Sequence, residues 1–392
     1  MIGPDFLARV QQSLRDLQLD AWLFFDHHHR DPIAYQILGL PPNLSPSRRW
    51  YYLIPREGEP QALVHRIEPR ALDPLPGHRH LYSGWRSHQE GLASLLFGLK
   101  RVAMQYSPGC AIPYVSLVDG GTIELIRSFD VEIVSSADLI QIFHATLSPA
   151  QIESHLEAGR RMDAIRREAF QLASQSLSSS PLDEWQLHLW LRSAFEREGL
   201  ITDHGPIVAI NAHAADPHYE PTLASSLPIR PGDLLLIDMW AKLNQPASIF
   251  YDITWTAYCG SAVPTEVENV FHIVRGARDA AFALVESTLS SGLPLHGFEV
   301  DDAARSHIDA HGYGHAFVHR TGHSITSNVH GTGANMDNLE THDERLILPN
   351  TLFSIEPGVY LDQFGIRSEF NVLTGHNSAR TTGEVQHSLL RL

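Results

Sequence analysis

Cysteine is scarce in this sequence: Cys110 and Cys259 are the only two in 392 residues. So few exclude a disulfide-stapled scaffold and point to a reducing compartment. Basic residues are also in deficit, with 29 Lys and Arg against 45 Asp and Glu and a net charge of −16. Such a surface repels phosphate backbones and anionic lipid, so neither nucleic acid nor a membrane surface is expected as a partner. Long apolar runs are missing too. The run Leu234–Ile237 is far shorter than the ~20 residues a membrane span needs. The opening Met1-Ile-Gly-Pro-Asp-Phe-Leu7 has no basic stretch leading into an apolar core, so no secretory signal is expected. These absences together predict a soluble, cytoplasmic protein.

What is present is apolar mass and histidine. Hydrophobic residues make up 43% of the chain, enough for more than one core. The 24 histidines are too many to be ligands all together. The tract His27-His28-His29 follows an apolar run in polar company and reads as a solvated turn.

Periodicity divides the chain in two. Phe6, Leu7, Val10, Leu14 and Leu17 have helical spacing. Runs at 20–25, 50–55, 61–65, 101–105 and 131–134 read as strands, with helical stretches near 87–99 and 116–128. Strands alternating with helices predict an α/β domain over residues 1–147. Ser148 then caps a helix opening at Pro149, and Asp183 caps a second one after a small-residue linker at 174–181. Beyond 207 strands dominate, with helices near 264–288 and 298–311, so residues 148–392 form a second, α+β domain.

The chemistry lies in that second part. Asp238 interrupts the apolar run after Pro231-Gly232, and Asp252 sits in the β-forming run Phe250–Tyr258. A carboxylate buried on a strand is costly unless paired or metal-bound. The two runs read as arms of a hairpin around Lys242–Ala247. Glu356 follows Ser354-Ile355, and Glu369 follows Gly365-Ile-Arg-Ser. Strand alternation puts Arg367, Glu369 and Asn371 on one face, where the arginine can orient a carboxylate. His319, His323 and His330 lie among glycines. His319 and His323 share the spacing of the helical zinc-protease motif, but Arg320 stands where that motif needs Glu, so that reading fails. Two Asp, two Glu and one His, each expected on a strand, make an oxygen-rich ligand set. Four carboxylates crowd one another without cations and are nearly neutralised by two divalent ones. Two such ions ~3.5–4 Å apart activate a shared water and polarise a carbonyl, which is amide or ester hydrolysis.

In the order of these residues and their neighbours the sequence resembles the pita-bread metallopeptidases, the family shared by methionine aminopeptidase, prolidase and aminopeptidase P. The contexts are Ile-Asp238, Tyr-Asp252-Ile-Thr, Gly-His323, Ile-Glu356-Pro-Gly and Gly-Ile-Arg-Ser-Glu369. The resemblance implies a pita-bread catalytic domain over 148–392, preceded by a creatinase-type domain over 1–147. It implies a Xaa-Pro peptidase that hydrolyses the bond before proline in a peptide substrate. Asp238, Asp252, His323, Glu356 and Glu369 would hold two divalent ions. Manganese is favoured by ligand hardness, with cobalt, zinc or iron as alternatives. Glu356 would be the base, His218 a substrate-binding residue, and His319 and His330 the pair that hold the substrate carbonyl or its tetrahedral intermediate. Arg367 would fix a metal-binding carboxylate. A homodimer is implied, with the first domain of one subunit placed to line the other's cleft. The sequence departs from the family in Ser324 and Thr326 after the ligand histidine, in Gly331 after His330, and in a longer Asp238–Asp252 loop. A second reading is a metal-dependent pita-bread hydrolase or lyase acting on a non-peptide small molecule. A third is a non-catalytic binding protein.

Overall fold

The structure, a computed structural model, describes residues 2–179 and 182–392. Two compact units divide between His144 and Ala145. The division falls three residues before the boundary expected from sequence. The reason is Leu147, whose N–H bonds the Asn350 carbonyl at 2.8 Å and whose side chain joins a core of the second unit. Of the expected linker at 174–181, Ser180 and Pro181 lie outside the described residues.

The first unit runs α1 (Pro4–Asp16), β1 (Ala21–Asp26), α2 (Pro32–Leu38), β2 (Trp50–Pro55), β3 (Gln61–His65), β4 (His78–Tyr82), α3 (Trp85–Leu95), β5 (Arg101–Met104), α4 (Gly120–Arg127), β6 (Glu132–Ser135) and α5 (Ala137–Ile140). Its six strands form one sheet in the order β4-β3-β2-β1-β5-β6. Strand β1 is central and buried on both faces: Trp22 and Phe24 enter one core, Ala21, Leu23 and Phe25 another. Covering a mostly parallel sheet on both faces explains why its strands read as continuous apolar runs. Strand β4 was not expected. Residues His78 to Leu81 are exposed and carry no alternating pattern, and backbone pairing with β3 at the sheet edge makes the strand. The short helix α2 was missed as well. Asp31 caps it and Gly39 ends it in the left-handed region.

The second unit opens with α6 (Pro149–Ser176) and α7 (Glu184–Arg197), each started by a reciprocal side-chain cap, Ser148 with Gln151 and Asp183 with Gln186. Then come β7 (Leu200–Ile201), β8 (Ile207–Ile210), β9 (Leu234–Leu243), β10 (Tyr251–Tyr258), α8 (Thr265–Ser290) and α9 (Gly297–Ala310). The chain ends with β11 (Leu352–Ile355), β12 (Gly358–Leu361), β13 (Phe364–Arg367), β14 (Phe370–Gly375), β15 (Ser378–Thr382) and β16 (Leu390–Arg391). A sheet of order β16-β10-β9-β7, with β8 also on β9, turns one face to α6 and α7: Ile237, Met239, Ile253 and Trp255 pack there with Ile165 and Leu191. Helices α8 and α9 pack on a second core that includes β11 to β14. Among the described residues no helix is long and apolar enough to cross a membrane.

Candidate metal centre

The hairpin expected around Asp238 and Asp252 is present. Strands β9 and β10 pair antiparallel, with Thr254 opposite Asp238 and Asp252 opposite Trp240. Two-residue alternation therefore puts Asp238, Trp240, Asp252 and Thr254 on one face, with the two carboxylates as diagonal neighbours. Their strand neighbours Ile237, Met239 and Ile253 point the other way, into the core under α6 and α7. The apolar run buries the strand, and the alternation within it aims the carboxylates.

His323 and the two glutamates are placed differently from expectation. None lies inside a regular strand. His323 sits between two isolated bridges, Gly322 to Met336 and Ser324 to Phe353. Glu356 follows β11, and Glu369 lies in the break between β13 and β14. Their backbones are pinned individually: Ser354 Oγ accepts from His323 N at 3.0 Å, Thr321 O accepts from Glu356 N at 2.7 Å, and Thr254 O accepts from Glu369 N at 3.1 Å. Gly322 permits the close approach, since a Cβ there would lie 1.9 Å from the Ser354 carbonyl oxygen.

These five side chains converge. Asp252, His323 and Glu369 each offer a ligand atom within 4.8 Å of the other two, and all three are buried. His323 Nε2 lies 3.5 Å from Asp252 Oδ2 and 3.3 Å from Glu356 Oε1. Its Nδ1 faces the Ser324 carbonyl at 3.2 Å, which makes Nδ1 the protonated nitrogen and leaves the Nε2 lone pair toward the carboxylates. The carboxyls of Asp252, Glu356 and Glu369 are all pushed above the ordinary range. Burial is the first cause, and repulsion from the other acids, Asp238 included, adds to it.

Whether the set suits a cation is tested by its hydrogen bonds. Asp238 Oδ1, Asp252 Oδ1 and Glu369 Oε1 are buried without a hydrogen-bond partner. Three orphaned anionic oxygens on adjacent residues are what a carboxylate-lined cation site leaves when only the protein's own donors are counted. Three of the other oxygens are tied down. Arg367 donates from Nη2 to Asp238 Oδ2 at 2.6 Å, and Thr254 Oγ1 donates to Glu369 Oε2 at 2.8 Å. Ser354 Oγ donates to Glu356 Oε1 at 3.0 Å. The residues present fit divalent cations.

Arg367 corrects one expectation. Its partner is the distant Asp238, not the nearby Glu369, because the strand breaks after Arg367 and the alternation does not continue. It also donates from Nη1 to Tyr360 OH at 2.8 Å and from Nε to Thr254 Oγ1 at 3.2 Å. Tyr360 OH in turn lies 2.6 Å from His319 Nε2, while His319 Nδ1 meets the Arg320 carbonyl at 2.7 Å. A continuous line of hydrogen bonds therefore runs from His319 through Tyr360 and Arg367 to Asp238. Tyr360 and Thr254 were not singled out from sequence, although Thr254 stands within the context Tyr-Asp252-Ile-Thr quoted there. Asn371 spans the backbone N–H and carbonyl of Asp252 with its side-chain amide.

The remaining histidines border the centre. His330 is exposed, and its ring stands edge-on to His323 at 4.4 Å. His323 is the first cause that lowers the His330 pKa, and His218 adds to it. His218 is exposed on the segment that follows β8. Glu184, fully buried at the start of α7, holds that segment. It accepts from Ile210 N at 2.8 Å, Leu227 N at 2.9 Å, His213 Nδ1 at 2.9 Å and Tyr219 OH at 3.0 Å.

The departures at Ser324, Thr326 and Gly331 interlock. Ser324 O accepts from Gly331 N at 2.6 Å, and Ser324 Oγ accepts from Gly333 N at 3.0 Å. A Cβ at position 331 would meet both Ser324 Oγ and Thr326 Cγ2 at 2.8 Å. Larger side chains after His323 thus require glycine after His330. Gly331→Ala is expected to destabilise the protein by about 1–3 kcal/mol, the usual range for overpacking. Combining it with Ser324→Gly should cost less than the two changes summed, as measured by urea unfolding. Strict additivity would refute the interlock.

The model of metallopeptidase family M24 matches residues 153–376, more than half of the chain. The chain belongs to this family. Several known proteins resemble it over different extents. A Xaa-Pro dipeptidase of Pyrococcus furiosus is 31% identical over 186 residues, 47% of this chain and 48% of that protein. The match thus spans about half the length of that curated relative. The Bacillus subtilis peptidase YqhT is 25% identical over 73% of both chains. Among solved structures, dipeptidase PepE from Mycobacterium ulcerans superposes with a TM-score of 0.73 at 22% identity, covering 99% of this chain and 97% of that one. A prolidase from Thermococcus sibiricus gives 0.67 at 21% identity over the full length of both. At these identities the likeness establishes the fold: an α/β first domain and a pita-bread M24 domain, as expected from the sequence.

Proposed function

We propose that this M24 protein is a dinuclear-metal Xaa-Pro peptidase that hydrolyses the peptide bond before proline. The observation that carries the reading is the convergence of four buried or half-buried carboxylates on His323, with three of their oxygens unpartnered. The names of the similar proteins, Xaa-Pro dipeptidase and prolidase, supply the substrate class. Asp238, Asp252, His323, Glu356 and Glu369 would hold two divalent ions, with manganese favoured by the hard oxygen donors. Such a pair, when bound, activates a water and polarises the scissile carbonyl.

The protein's own residues do the rest. Glu356 would take the proton of the attacking water. Burial, and repulsion from Asp252 and Asp238, raise its pKa above the ordinary carboxylate value. Ser354 Oγ keeps its carboxylate turned inward. His330 would hold the substrate carbonyl and the negative charge that develops on it; His319, expected from the sequence to share that task, has its N–H on the Arg320 carbonyl and its other nitrogen on Tyr360, and so has no donor left for it. The hydrogen bond from Tyr360 to His319 instead places that ring at the end of the line that runs through Arg367 to Asp238. His218, on the segment anchored by Glu184, would meet the substrate at the mouth. A cytoplasmic homodimer belongs to the same proposal.

Metal analysis with a peptide screen tests the reading. Two ions per chain are expected after manganese loading, with cleavage of Xaa-Pro dipeptides or of Xaa-Pro-Yaa peptides. Two ions without cleavage would shift the assignment to a non-peptide substrate. No metal would leave a binding protein. His330→Ala should keep its metal and lose about 10²-fold or more in kcat, since its role is on the carbonyl. Metal loss in that variant would make His330 a ligand instead.

A further inference from the structure

The tract His27-His28-His29 reads from the sequence as a solvated turn; the structure has it as a bend with His28 exposed, and that bend borders a hollow. His27 and His28 line a cavity of ≈ 750 Å³ within the first unit. The cavity opens at the carboxyl ends of β1, β3 and β4, which run parallel to one another around the antiparallel β2. That is the end of a parallel sheet where ligands bind.

Two loops on its wall are held rigidly by carboxylates. Asp26, 1% exposed at the end of β1, accepts from the N–H groups of His29, Arg30 and Asp31 and from Tyr35 OH, at 2.6–3.1 Å. This ring of bonds keeps His28 and His29 at φ of 63° and 56°, a left-handed conformation costly for such side chains. Glu68 accepts from Ser47 N and Oγ and from Arg48 N at 2.6–3.1 Å, which fixes the segment carrying Arg48 and Arg49. The floor is the buried His88, whose Nε2 lies 3.1 Å from Tyr51 OH and whose ring packs on Tyr82 at 4.8 Å. Burial first, and then the charge of Arg49, pushes His88 down to about 4.

The side chains that line this cavity are mainly cationic, with Asp26 and Glu68 set behind the wall and accepting from backbone N–H groups. Arg30, Arg48 and Arg49 line it, and among the described residues none has a carboxylate within ion-pair distance. Asp119 is the single acid on the wall, and its carboxylate is engaged by Thr122 N and Oγ1 at 2.9 Å each as the cap of α4. A preorganised, cationic hollow stands on a chain whose net charge is −16. Three guanidinium groups without an ion-pair partner face the hollow and suit a phosphate group of about −2 with three acceptor oxygens. The indole of Trp85, 64% exposed at the rim, offers an apolar face beside it.

We propose that this cavity binds a small phosphate-bearing molecule, with Arg30 and Arg49 as its principal contacts and Arg48, His65 and Trp85 at the rim. The test is calorimetric titration of pyrophosphate into the metal-loaded, full-length protein at low salt. Saturable binding is expected, weakened about tenfold or more in both Arg30→Ala and Arg49→Ala. It should persist in Glu369→Ala, which is altered only at the candidate metal centre. No binding by the parent protein overturns the proposal. So does binding unchanged in both arginine variants, or lost only in Glu369→Ala, which would put the anion on the metals. Arg30 lies on an exposed loop, so its variant keeps the test valid should Arg49→Ala fail to fold. If sedimentation shows that the arginine variants change only the assembly state, the cavity is an interface between copies and the proposal falls.

Discussion

Glu369→Ala is expected to abolish peptide cleavage and to lower bound metal, while leaving the protein folded. The side chain is 1% exposed, with Oε2 on the Thr254 hydroxyl and Oε1 free of any partner. It lies within ligand distance of both Asp252 and His323, so its loss removes a donor from the middle of the set. Metal assistance to hydrolysis is worth several kcal/mol, so kcat/KM should fall on the order of a thousandfold or more. Metal analysis after gel filtration should show fewer ions per chain than the parent. Stability moves in the other direction once chelator is present. Burial and mutual repulsion raise the carboxyls of Asp252, Glu356 and Glu369, and removing one relieves the other two. The chelated variant should therefore unfold at least as high in urea as the chelated parent. Full turnover in the variant would refute the ligand assignment.

Arg367→Ala is the second large effect, and it acts on stability as well as on metal. The guanidinium is 3% exposed and donates to Asp238, Tyr360 and Thr254. Its removal leaves a buried carboxylate without its counter-charge, a change that costs about 3–5 kcal/mol. Metal affinity should fall about 10–100-fold, because the carboxylate of Asp238 loses the contact that orients it. Arg367→Lys should not restore either property, since one ammonium cannot reproduce three contacts made by a planar fork. Urea unfolding of the chelated protein and competition with a metal-binding dye give the two numbers. A lysine variant with parental values in both would show that charge alone matters at this position.

The sequence by itself determined a good deal. The two-part order of strands and helices, the capped starts at Ser148 and Asp183, and the hairpin bearing Asp238 and Asp252 all rest on local chemistry. Apolar periodicity and capping residues act within a few positions, so a single strand of text carries them. The five candidate ligands were legible for a related reason. A carboxylate or histidine in an apolar run is anomalous wherever it stands.

The tertiary structure alone decided who meets whom. Arg367 bonds Asp238 across 129 positions, and Asn371 clasps Asp252 across 119. Strand alternation suggests a partnership between Arg367 and Glu369, and the interruption of the strand after β13 removes it. Strand β4 escaped notice because an edge strand is made by its neighbour's backbone rather than by its own side chains. Gly331 stands in the sequence as a departure from the family, and only the fold sets Ser324 and Thr326 against it. The His27-His28-His29 tract reads as solvent-facing because nothing near it in sequence shows that Asp26 and Glu68 hold two arginine-bearing loops around one hollow. Long-range contacts carry no periodic signature, and only the folded chain, where their geometry and charge are realised, reveals them.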